Sequence, residues 1–216
     1  MRHLSGIAMG IALMIASAAS ASSDLLAAAA AGRVDEVTRL VTAGADLEAR
    51  DAQGRSALLL AVAGNHVAVA KALLKAGASP NALAANRDTP WLLAGASGRT
   101  EIVALMLPLK PDLTIGNRYG GNALIPACER AHVETVKLLL TSGIDLDHVN
   151  DLGWTCLLEI VILGDGGRRH QEVAKLVLDA GANPNLADRD GVGPLAHARR
   201  KGQREVARLI EQAGGR

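Results

Sequence analysis

Residues 51–83 read DAQGRSALLLAVAGNHVAVAKALLKAGASPNAL, and residues 117–149 read NRYGGNALIPACERAHVETVKLLLTSGIDLDHV. Laid over one another, they share Gly54 with Gly120, Ala57-Leu58 with Ala123-Leu124, His66 with His132 and Gly77 with Gly143. Residues 84–116 lie between them in the same frame, with Thr89-Pro90-Trp91 where the earlier copy has Ser56-Ala57-Leu58. A fixed period of 33 residues marks a chain built by repeating one supersecondary unit.

The frame extends in both directions. Residues 24–50 form a copy without its opening turn, and residues 188–214 form one that stops at its second helix. The stretch 153–172, GWTCLLEIVILGDGGRRHQE, looks at first like an active site or a phosphate cradle. Its spacing decides otherwise. Ser56 to Gly77 and Asn122 to Gly143 are both 21 residues, whereas Thr155 to Gly181 is 26. The fifth copy, residues 150–187, is therefore an ordinary unit carrying five extra residues, Gly164 to Arg168. This insert lacks the Lys-Ser/Thr pair of a phosphate-binding loop and follows no strand, so it reads as a flexible insertion between two helices.

Each recurring position has a mechanical reason. Asp51/Gly54, Asn117/Gly120 and Asp188/Gly191 suit a tight turn. Ser56 and Thr89 suit a helix N-cap, with Pro90 tolerated in the first turn. The apolar spacing then gives two short antiparallel helices, and Gly44, Gly77 and Gly181 supply the left-handed residue that ends the second. The pattern resembles the ankyrin repeat, D-x-x-G-x-T-P-L-x-x-A-A-x-x-G-H-x-x-V-V-x-L-L-L-x-x-G-A-D, over about Asp24 to Gly214 in six units. The resemblance implies an all-α solenoid of stacked helix-turn-helix units with short β-hairpin fingers, acting in protein–protein recognition. Polar residues in the outer copies (Arg33, Arg39, Arg199, Arg200, Lys201) suit caps. Lys110-Pro111 and Pro108 in the third copy, and Pro126 in the fourth, predict bends or altered stacking there.

Composition agrees with small helices. Phe is absent, Tyr occurs once and Trp twice, yet 49% of residues are apolar, so the core is Ala, Leu, Val and Ile. A net charge of +1 provides no field for nucleic acid. The N-terminus carries Arg2, an apolar run from Gly6 to Ala16 and the small-residue segment SAASASSD. We expect residues 1–21 to be a signal peptide cut after Ala21, or else Ala18. The run is too short for a comfortable membrane span. The expected destination is the periplasm, with a monomeric mature chain, no membrane span and no cofactor.

Histidines 66, 132 and 170 share one slot in different copies. Neighbouring repeats lie roughly 10 Å apart, too far for shared zinc ligands at about 2 Å, so helix-start hydrogen bonding is expected and no metal site. Cys128 and Cys156 are the only cysteines. A five-residue offset in register, added to the repeat spacing, argues against the roughly 7 Å that a disulfide needs, and predicts free buried thiols. No base is spaced to activate either, so no catalytic residue is expected. Trp91 falls in a core Leu slot. Trp154 falls in a finger slot held elsewhere by Arg55, Asp88, Gly121 and Val192, and Tyr119 and Leu152 fall at fingertips. We expect Trp154, Tyr119 and Leu152 to anchor a protein partner, with Arg118, Asp151 and Arg130 as polar contacts. Glu129, Ile162 and Leu163 from the first helices join that face, with Asp165 of the insert beside it. An inhibitor or immunity protein masking an exported toxin or enzyme is the alternative role, and an enzyme the remote one.

Overall fold

The computed structural model describes residues 20–216, so the expected signal peptide lies almost wholly outside the described residues. A helix, α1, occupies 20–30, and eleven further α-helices follow. The repeat frame is read directly in their bounds: α2 Val34–Thr42; α3 Ala57–Ala63 and α4 Val67–Lys75; α5 Pro90–Ala96 and α6 Thr100–Met106; α7 Leu124–Glu129 and α8 Val133–Leu140; α9 Cys156–Ile162 and α10 Arg168–Asp179; α11 Pro194–Arg200 and α12 Arg204–Gln212. Among the described residues there is no strand, so the fingers are tight turns and not the β-hairpins expected. Two compact units form among the described residues, 20–85 with the first two repeats and 86–216 with the other four.

The helices begin and end where the side chains dictate. Ser56, Thr89 and Thr155 each accept a hydrogen bond from the backbone N–H three residues on, at 3.1–3.2 Å. Such caps satisfy donors that the first turn leaves open. The fingers are closed in the same economical way. Asp51, Asn117, Asn150 and Asp188 each accept two backbone N–H groups through Oδ1, two and four residues ahead. Ala84 in the third repeat has no such side chain, and there Arg87 takes the left-handed φ of +65° that glycine takes in the other fingers.

In the first unit, α2 and α3 both pack on α4, burying Leu25, Val37, Leu58, Leu59 and Leu73. In the second, first helices line up as α5–α7–α9–α11 and second helices as α6–α8–α10–α12. Trp91, at 1% exposed, is core as expected. Pro126 costs α7 no hydrogen bond. Asn122 Oδ1 accepts from Leu124 and Ile125 N–H, so the proline sits in the first turn, where its missing donor has no intrahelical partner to lose. The third repeat does depart: a 3-10 turn at Leu107–Leu109 follows α6, and Lys110 closes it at φ +51° where other repeats place glycine.

The insert is more ordered than a flexible loop. Its last residue, Arg168, opens α10, so the second helix of repeat five starts three positions earlier than the frame requires. Asp165 Oδ1 accepts from Gly167 N–H at 2.8 Å and pairs with His170 Nδ1 at 2.7 Å. From repeat six, Lys201 and Gln203 donate to the Gly164 carbonyl.

Candidate partner-binding face

The candidate face lies where repeats four and five meet, and a covalent bond joins the first helices of those two repeats. Cys128 on α7 and Cys156 on α9 form a disulfide with Cα atoms 5.6 Å apart, which overturns the expectation of free thiols. Five residues along one helix do not separate these positions, because the end of one first helix runs into the start of the next. The same slots in repeats three and four show it: a Cβ on Gly95 would lie 2.9 Å from that of Ala123. Repeats three and four offer this close approach, and at the next step the two residues are cysteines.

The three equivalent histidines also act between repeats. His66 Nε2 bonds the Ala30 carbonyl, His170 Nε2 the Glu129 carbonyl, and His132 the Ala96 carbonyl. His66 and His132 stand at the N-cap without capping their helices, and His170 lies in the first turn of α10. Each ties the start of a second helix to the end of the preceding repeat's first helix, satisfying a carbonyl left open there. Burial and the nearby guanidinium of Arg130 keep the His132 imidazole below its ordinary range. Among the described residues no three His, Cys, Asp or Glu side chains gather as for a metal.

Between the same two repeats lies a concavity of about 200 Å³. Its fingers contribute Asn117, Tyr119, Gly121, Asn150 and Leu152; its helices contribute Ile125, Pro126, Glu129, Glu159 and Leu163. Tyr119, Leu152 and Leu163 are each about half exposed, an unusual outlay of large apolar surface around one hollow. Asp151 N–H donates to the Tyr119 carbonyl at 2.8 Å, joining the two fingers. His148 Nε2 bonds the Gly120 carbonyl from below at 2.6 Å.

Of the ten residues read from the sequence as the partner face, four line this hollow: Tyr119, Leu152, Glu129 and Leu163. Arg118 stacks its guanidinium 4.6 Å over the Tyr119 ring. Arg130 points to the preceding repeat, donating to the Ala96 carbonyl at 2.6 Å. The Asp151 carbonyl receives Arg189, and Ile162 is half-buried with its carbonyl bound by Lys201. Asp165 is committed to the insert, and Trp154 is half-buried outside the lining.

Sequence reading missed Glu159. It is 5% exposed, with Oε1 accepting from Asn150 Nδ2 at 3.0 Å and Oε2 buried without a hydrogen-bond partner. Burial, reinforced by the neighbouring Glu129 carboxylate, pushes its pKa up to about 7. The signal was present in the register: the same slot holds Ala27, Leu60, Leu93 and Pro126 in the first four repeats.

A model of ankyrin repeats in three copies matches residues 79–150 and 127–215, and one of ankyrin repeats in many copies matches 25–74. The chain belongs to the ankyrin-repeat family. It is 38% identical over 192 residues to the ankyrin repeat protein YahD of Escherichia coli, covering 88% of this chain and 96% of that one. The crystal structure of an ankyrin repeat domain from Acinetobacter baumannii is 46% identical, with a TM-score of 0.86 over 89% of this chain and 98% of that one. The ankyrin repeat domain of Bcl-3 is 29% identical, with a TM-score of 0.80 over 89% and 86%. Ankyrin repeats are protein-interaction modules, and the alternation of rigid helices with projecting fingers is the physical basis of that role. Among the described residues no helix is long and apolar enough to cross a membrane.

Proposed function

We propose that this protein is an exported, non-catalytic scaffold that holds another exported protein against the finger and first-helix face of repeats four and five. The observation that carries the reading is the ring of half-exposed Tyr119, Leu152 and Leu163 around one concavity. Large apolar side chains on a rigid frame cost little entropy to bury, which is what interface anchors need. The Cys128–Cys156 bond supports export, because disulfides persist in oxidising compartments such as the periplasm. The apolar run and small-residue segment before Ala21 support it from the sequence.

The test is a crosslinking pull-down from the exported fraction, with wild-type bait beside Tyr119→Ala/Leu152→Ala. One protein captured by the wild type and lost from the variant is the expected result. Its identity as a toxin or enzyme silenced by the complex would assign the inhibitor role instead of the scaffold role. Equal capture in both lanes would move the binding face elsewhere.

A further inference from the structure

The hollow between repeats four and five is acidic within and apolar at its rim. Glu129 and Glu159 line it, and no basic residue does. The cations nearby are engaged: Arg130 with the Ala96 carbonyl, Arg118 with the Tyr119 ring, Lys201 with the Ile162 and Gly164 carbonyls. Inside, the Oε2 atom of Glu159 is buried and receives no donor. A buried acceptor without a donor carries its desolvation cost uncompensated. The fold does not require that cost, since Leu60 fills the same slot in repeat two, buried at 8% exposed.

We propose that this hollow is a socket for a basic side chain, lysine or arginine, on the segment of the partner protein that the fingers hold. The proposal rests on the reading of this face as the partner site. Two features commit it to a cation on an aliphatic stem. The head group supplies N–H donors to two carboxylates, one of them with a buried oxygen that no donor of the chain satisfies. The stem lies along Tyr119, Leu152 and Leu163, as long basic side chains lie on apolar surface while their charge finds a partner. The volume, about 200 Å³, is below the range that drug-sized ligands occupy and is on the scale of a single side chain.

The probe is n-butylammonium, which reproduces the lysine stem and head, titrated beside n-butanol and butyrate and followed by the methyl resonances of Leu152 and Leu163. The expected result is that the ammonium shifts these methyls at concentrations at least tenfold below those needed with butanol, and butyrate shifts them least. Glu159→Gln, which keeps the shape and the Asn150 hydrogen bond, should erase that preference. Glu129→Gln, on a half-buried side chain, should reduce it several-fold. Equal response to butylammonium and butanol, or a preference that survives both variants, would overturn the socket. If that happens while Tyr119→Ala/Leu152→Ala still abolishes partner capture, the socket alone falls and the face stands.

Discussion

Repeats five and six place a polar pair in the same two slots, nine residues apart, and use it differently. In repeat six the pair is Asp188 and His197: Nε2 meets Oδ2 at 2.7 Å, and Arg200 donates to Nδ1 at 2.6 Å. Every nitrogen of that ring has a partner. In repeat five the pair is Asn150 and Glu159, joined at 3.0 Å, and one carboxyl oxygen is left over. The first pair is complete by itself and fixes the finger to its helix. The second does the same with one of its oxygens and leaves the other buried without a donor, in a residue that lines the hollow. Local hydrogen bonding satisfies every ring nitrogen of the pair in repeat six and only one carboxyl oxygen of the pair in repeat five.

The largest way to disturb this comparison is to cut the tie that repeat five has and repeat six lacks. Cys128→Ala/Cys156→Ala releases a link spanning 28 residues of sequence, and chain entropy predicts a loss of about 3–4 kcal/mol. Denaturant unfolding with and without reductant measures it. Reductant should lower the wild-type midpoint and leave the double variant unchanged.

Next comes the carboxyl itself. A carboxylic acid whose folded pKa, about 7, lies above its unfolded value of 4.5 binds its proton more tightly when folded. Its contribution to stability is therefore present at low pH and is lost as pH rises from near 4.5 through 7. Glu159→Gln should remove that loss. The variant should gain on wild type by roughly 2–3 kcal/mol between pH 4.5 and 8, read as the difference of two urea-unfolding series. A constant difference across that range would mean the carboxyl is not perturbed by burial. In repeat six the matching change, His197→Ala, empties a buried site and breaks its hydrogen bonds, for a loss of about 1–3 kcal/mol at neutral pH in the same assay. It should leave partner capture intact. The smallest effect is a gain. Arg87→Gly gives the third finger the residue its φ of +65° favours, worth about 0.5–1 kcal/mol in thermal unfolding.

The fold was legible because a period of 33 multiplies weak signals: a single Gly77 proves little, but Gly44, Gly77, Gly143 and Gly181 in one slot do. Four residues that line the hollow, Tyr119, Leu152, Glu129 and Leu163, were legible for the same reason, as large or polar side chains in exposed slots. The disulfide was not. Register gives a residue's position along its own helix, whereas the approach of Cys128 to Cys156 depends on how the next helix starts beside it. The place of Arg130 was not legible either, since its long side chain reaches backward to the Ala96 carbonyl. Glu159 was passed over because a glutamate in a short helix reads as solvent-facing until its burial is known.

The central claim is that repeats four and five carry the binding face, and one slot tests it most directly. Position 152 and position 53 are the same fingertip in repeats five and two. A photocrosslinking residue placed at each, with the protein irradiated in the exported fraction, compares the two fingers under one chemistry. The account predicts a discrete adduct from position 152 and none from position 53. Adducts of equal yield from both, or an adduct from position 53 alone, would contradict it.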